Sequence, residues 1–176
     1  DLAKPLLNLL IDSLTNEGVI YTNSENLTLS NTINNTGTIS HEGSGTLLFA
    51  SNADITNNDA GVINTQGALD LQGTLAGSGL VSAMEDITIS TQGTFNNQGS
   101  TLYSEKDIIV NSALNNLQGS LIAEGDLTVN TTGAIDNEQG LIQGLRLFLT
   151  AETINNASGR MLALGDIFAL KAERLE

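Results

Sequence analysis

Apolar residues recur along this chain in short alternating groups. Pairs separated by one residue stand at Leu27/Leu29, Leu47/Phe49, Leu69/Leu71, Ile87/Ile89, Ile108/Val110, Leu127/Val129, Leu147/Leu149 and Ile167/Ala169. Alternation at period two belongs to a strand with one buried face, not to a helix. Before each pair lies another apolar stretch, at Ile20, Ile39, Ile63, Val81, Leu102, Leu121, Ile142 and Met161. After most pairs comes a third apolar position, at Ile33, Ile55, Leu75, Phe95, Leu114, Ile135 and Ile154. The pattern predicts strand, turn, strand, turn and short strand, over and over.

Glycines punctuate it. Gly18, Gly37, Gly61, Gly79, Gly99, Gly119, Gly140 and Gly159 open the same phrase at separations of 19, 24, 18, 20, 20, 21 and 19, a period near twenty. A unit so short cannot bury its own apolar face, so successive units must stack and share one core. Strands then pair between coils about 4.8 Å apart, and some eight coils make a rod on the order of 40 Å long. The expected fold is an all-β parallel β-helix of about eight coils with a repeat of roughly 20 residues.

Amide or acid pairs follow six of the third apolar positions: Asn34-Asn35, Asn57-Asn58, Asn96-Asn97, Asn115-Asn116, Asp136-Asn137 and Asn155-Asn156. Leu75-Ala76-Gly77 is the exception. Stacked amides donate to one neighbour and accept from the next, and asparagine tolerates the left-handed backbone of a sharp corner. A ladder of Asn35, Asn58, Asn97, Asn116, Asn137 and Asn156 is expected, with the other member of each pair open as the stacked residue.

The phrases Gly119-Ser-Leu-Ile-Ala-Glu-Gly-Asp-Leu-Thr-Val129 and Ala134-Ile-Asp-Asn-Glu-Gln-Gly140 resemble the repeats of filamentous haemagglutinin-type proteins. These are the large exoproteins of bacterial two-partner secretion, and the resemblance runs from about Leu14 to Leu170. It implies a right-handed β-helical rod, carried across the outer membrane by a two-partner secretion transporter and secreted or displayed at the surface of a Gram-negative cell. The Asn-Pro-Asn-Gly type of motif of the family's secretion domain is absent, as is the Val-Glu-Asn-Asn motif that precedes a toxin in contact-dependent growth inhibition members. The parent is then either an adhesin or a growth-inhibition effector, with a host or neighbouring-cell receptor as a further partner.

Charge narrows the function. Twenty Asp and Glu against six Lys and Arg give a net charge of −14, which repels nucleic acid and anionic lipid. No cysteine is present, which removes disulfides, thiolate metal sites and thiol nucleophiles. The most apolar stretch, Pro5 to Leu14, is too short to span a bilayer. An aromatic content of 3% leaves a core of slim aliphatic side chains.

Enzyme chemistry lacks an inventory. A glycosidase needs two juxtaposed carboxylates, and lyase chemistry needs cations to neutralise its substrate. Asp86, Asp107, Asp126 and Asp166 share a phase before the second strand, but one carboxylate per coil falls short of the six to eight oxygens that calcium takes. They are expected to cap turns, with no metal and no cofactor. The sequons at Asn26, Asn34, Asn130 and Asn156 arise freely in so Asn- and Thr-rich a chain.

His41, the only histidine, is expected as a solvated residue of the loop His41-Glu42-Gly43-Ser44-Gly45 in the longest coil. With Glu42 it is a candidate partner contact, because insertions concentrate binding residues. Ile109, Phe148 and Phe168 should face outward, and Phe148 and Phe168 are candidate contacts of an exposed apolar patch; a register shift of one would turn them inward.

Residues 1–17 are expected as a partial coil with Leu7 and Leu9 in its second strand, or as a capping helix. Repeats span 18–174, and 175–176 are a candidate cloning scar. The chain starts without Met or a signal-peptide pattern and reads as an excised fragment. The leading functional expectation is a structural stalk segment displaying a distal binding or toxin module. Behind it stand a receptor- or glycan-binding module and, third, a carbohydrate-active enzyme.

Overall fold

Each coil contributes three short strands, and strands pair in parallel with their equivalents in neighbouring coils, with one interruption, between Thr74–Ala76 and Thr94–Asn96. A computed structural model describes residues 7–9, 11–58 and 60–176. No helix occurs among them, and the chain is an all-β solenoid of about eight turns.

The first face is an eight-stranded sheet running from Val19–Thr22 to Arg160–Ala163. The second carries the paired apolar residues, with Leu27 on Leu47, Leu69 on Leu47 and Ile87 on Leu69. The third holds the single apolar position, as Leu114 on Ile135 shows. The strand Leu147–Asn155 runs unbroken from the second face into the third, so the two merge there.

Alternation decides what is buried. In Thr46–Phe49, Leu47 and Phe49 point inward while Thr46 and Leu48 face out. Rows of Leu, Ile and Val stack from coil to coil into one continuous core. At the corner after the first face the inward position holds Thr65, Ala83, Ser104 or Ala123 in successive coils, small or polar side chains where the strands beside it carry Leu, Ile and Val.

Near the N-terminus, Leu7–Leu9 pairs with Leu27–Leu29 and Ser13–Asn16 with Thr32–Asn35. Pro5, Leu6 and Leu10, on which the helical alternative also drew, lie outside the described residues. At the other end Leu175 sits in register on Ile154, and the Glu176 N–H donates to the Ile154 carbonyl at 2.9 Å. Leu175 ends the last strand, Phe168–Leu175, and Glu176 follows it.

One strand departs from the expected register. Phe168, not Ile167, pairs with Leu147, and Leu170 with Leu149. The turn from Ala163 to Phe168 is one residue longer than that from Ala123 to Leu127, which shifts the alternation after it by one. Phe168 therefore stands in the core row. It remains 52% exposed because no described coil stacks on its outer side.

Candidate functional site

The Asn corners form two parallel columns, one inside and one outside. Inside, the Asn16 Nδ2 donates to Asn35 Oδ1 and the Asn35 Nδ2 to Asn57 Oδ1, both at 2.7 Å. Farther along, Asn97 donates to Asn116, Asn116 to Asn137 and Asn137 to Asn156, each at 2.7 Å. The same amides reach backbone carbonyls of the next corner, as Asn116 does at Leu141 O, 3.0 Å away. Asn35, Asn57, Asn97, Asn116 and Asn137 are fully buried.

In the third coil the stacked residue is Asn57, and Asn58 is exposed. The inward residue lies two positions beyond the third apolar residue, as Asn35 does from Ile33 and Asn116 from Leu114. That count leads from Ile55 to Asn57, and from Leu14 to Asn16, which the expected set omitted.

The outer members work as well. Asn96 and Asn115 each accept the backbone N–H two residues on, at 3.3 and 3.1 Å, which is an Asx turn. Asn115 Nδ2 also donates to Asn96 Oδ1, and Asn155 Nδ2 to Asp136 Oδ1, both at 3.0 Å. From Asn96-Asn97 onward, each pair thus supplies one inner amide to bind the coils together and one outer amide or acid to shape the corner.

The Asp column is built on the same logic. Asp86 Oδ1 accepts the Asp107 N–H at 3.2 Å, and Asp107 Oδ1 accepts the Asp126 N–H at 2.8 Å. The next position is Arg146, whose Nε donates to Asp126 Oδ1 at 2.7 Å and whose NH2 pairs with the other oxygen. That hydrogen bond and the Asp126 charge raise the Arg146 pKa above its ordinary value. Asp166 lies outside the column because of the longer turn before Phe168.

His41 is fully buried, not solvated. Its Nδ1 lies 2.8 Å from the Thr65 hydroxyl and its Nε2 3.0 Å from the Ser24 carbonyl. A carbonyl only accepts, so Nε2 carries a proton. Period two counted from Ile39 places His41 inward, a signal hidden by the glycines around it. The loop folds back because Glu42 N–H and Gly45 N–H donate to Thr22 O and Glu25 O, at 2.7 and 3.0 Å. Gly43 is required there, since a Cβ would stand 1.7 Å from Ser24 O. His41→Ala should lower stability by about 1 to 3 kcal/mol by leaving the Ser24 carbonyl without its imidazole donor, while Thr65 keeps the Gly67 N–H, read as a shifted urea midpoint.

Glu42 borders a shallow groove of about 420 Å³ across the first face, with Tyr103, Leu80, Met84 and Glu105. Burial, followed by the charge and hydrogen bond of Glu124, raises the Tyr103 pKa. Phe148 and Ile109 both face outward but are separated by Thr128, and the Arg146 guanidinium lies 5.9 Å from the Phe148 ring centroid. With Phe168 in the core row, the expected patch of three does not form.

No curated protein and no solved structure matches the chain. The haemagglutinin repeat family matches it over residues 11–73 and again over residues 71–167. These two spans hold the stacked coils and both amide columns. The chain belongs to the haemagglutinin repeat family.

Proposed function

We propose that this chain is a stalk segment of a secreted or surface-displayed exoprotein of two-partner secretion, adhesin or growth-inhibition effector, in a Gram-negative bacterium. The supporting observation is where its polar side chains are spent. Buried amides bond to equivalent amides or to corner carbonyls, and the aligned carboxylates of Asp86, Asp107 and Asp126 bond to backbone N–H groups and Arg146. Such groups hold coil to coil. The rod extends one strand spacing, about 4.8 Å, per coil, which suits a spacer holding a distal module away from the cell. Its partners are then flanking repeats and, during export, the outer-membrane transporter.

Deleting one whole coil, Gly119 through Gln139, from the full-length parent should leave export and distal activity nearly intact. Loss of target binding by a deletion variant that still folds and reaches the surface would move the function into this segment. The groove beside Glu42 favours that second reading, a contact module, with Tyr103 as its aromatic wall. A soluble-receptor pull-down with Tyr103→Ala separates the two: a stalk retains its binding, a contact module loses it.

A further inference from the structure

The third face is broken. Its strands Ser13–Asn16, Thr32–Asn35, Asp54–Asn57 and Thr74–Ala76 form one sheet, while Thr94–Asn96 begins the next stack and has no ladder to Thr74–Ala76. The other two faces continue across this level, with Leu80–Ala83 paired to Thr101–Ser104 and Leu69–Leu71 to Ile87–Ile89. Cα atoms of the unpaired strands approach within 8 Å. An inserted strand would need two spacings, about 9.6 Å, so the break is a closed seam and not a slot for another chain.

The inner amide column stops at the same level. Gly77 holds the ladder position two residues beyond Leu75, takes a φ of +103°, and has no room for a Cβ, which would stand 2.2 Å from Asn57 O. Asn57 Nδ2 keeps the corner carbonyls Gly61 O and Leu80 O, as the other column amides keep theirs, but donates to no amide in the next coil. On the far side, Asn97 Oδ1 is the one buried side-chain polar atom among the described residues without a hydrogen bond. A buried acceptor left unpaired costs about 1 to 3 kcal/mol.

Two further features change here. Beyond the seam every corner has a left-handed residue at one position, Gly99, Gln118, Gln139 or Ser158, and is one residue longer than the corner from Leu75 to Leu80. The two matches to the repeat family meet at residues 71–73, just before the seam. A groove of about 490 Å³ opens over it, with Thr74, Ala76, Thr94 and Asn96 in its walls.

We propose that this seam is the hinge of the rod: the third face opens between Thr74–Ala76 and Thr94–Asn96 while the first and second faces hold, so the coils on either side bend and open as separate units. The cause is local. Both the backbone ladder and the side-chain ladder, which elsewhere resist opening together, are missing on one face of one level.

Hydrogen exchange on the unaltered chain tests it under native conditions. At the two borders of the seam the Ser90 N–H donates to Leu71 O and the Thr101 N–H to Gly79 O. Both should exchange at least about tenfold faster than their equivalents one coil on, Asn111, which donates to Ile89 O, and Ser120, which donates to Ser100 O, because local opening sets the rate of a bonded amide. Amides of Leu80–Ala83 and Ile87–Ile89 should stay protected. Equal protection of Ser90 with Asn111 and of Thr101 with Ser120 overturns the hinge. Replacing residues 76–79 by the corner Asn-Asn-Leu-Gln-Gly, copied from residues 115–119, should rejoin the column and slow exchange at Ser90 and Thr101 about tenfold. A folded graft in which exchange stays fast overturns the ladder as its cause. Should the graft not fold, the comparison in the unaltered chain still decides.

Discussion

A chain lacking Gly119 through Gln139 should fold, and a chain lacking only Gly119 through Thr128 should not. The first deletion joins Gln118 to Gly140. Gly140 occupies in its coil the place of Gly119, since Ser120 pairs with Leu141 and Asn116 bonds to Asn137. The cut ends therefore meet in phase. The coil before the cut finds new partners in the old register: Thr101–Ser104 receives Leu141–Gly144, Ile108–Val110 receives Leu147–Leu149, and Asn116 receives Asn156 in place of Asn137. Because solenoid coils contact only their neighbours, the shortened rod keeps one cooperative core and loses about 4.8 Å.

The second deletion removes Ser120–Ala123 and the start of Leu127–Asn130 but keeps Ala134–Asp136. The chain then has to travel from one third-face strand to the next without passing over the first two faces. Leu102 and Ile108 lose the residues stacked on them, and the coils beyond cannot resume register. The expected result is loss of β circular dichroism signal or of a cooperative urea transition. A cooperative transition as steep and as late as that of the whole-coil deletion would mean that the stacked repeat does not govern stability.

Asn116→Ala should cost about 2 to 4 kcal/mol. Asn116 is fully buried, accepts from Asn97, and donates to Asn137 Oδ1 and Leu141 O. Its removal leaves an acceptor without a donor on one side and a donor short of an acceptor on the other, at about 1 to 3 kcal/mol for each buried group. Asn115→Ala removes a half-buried amide that shapes a corner and should cost less than about 1 kcal/mol. Asn156→Ala, whose side chain has a partner amide on one side only, should fall between. The check is a urea denaturation series on all three; equal losses at Asn115 and Asn116 would reduce the inner column to turn preference.

The fold was legible in the sequence for a physical reason. A strand's alternation states which side is buried, and twenty-odd residues repeated at matched phase state that the buried sides must stack. Leu47, Leu69 and Ile87 carry that information without reference to anything distant. The repeat family was legible on the same residues, because the corner and strand phrases recur together.

Corners are where the reading needed the tertiary structure. Alternation carries no phase across a turn, so the added residue before Phe168 turned an expected surface residue into a core one. An asparagine pair offers two chemically equal amides, and the bond from Asn35 shows that the count of two from Ile55, not the pair itself, selects Asn57 over Asn58 for the column. His41 looked solvated because glycines surround it, yet those glycines let its loop fold onto the preceding one and take the ring inside. The sequence by itself determined the stacked β architecture, since period and apolar phase are properties of the chain. Only the tertiary structure decided which amides bond across coils, where the imidazole lies and where the third face parts, since each depends on a partner about twenty residues away and on the length of the corner between.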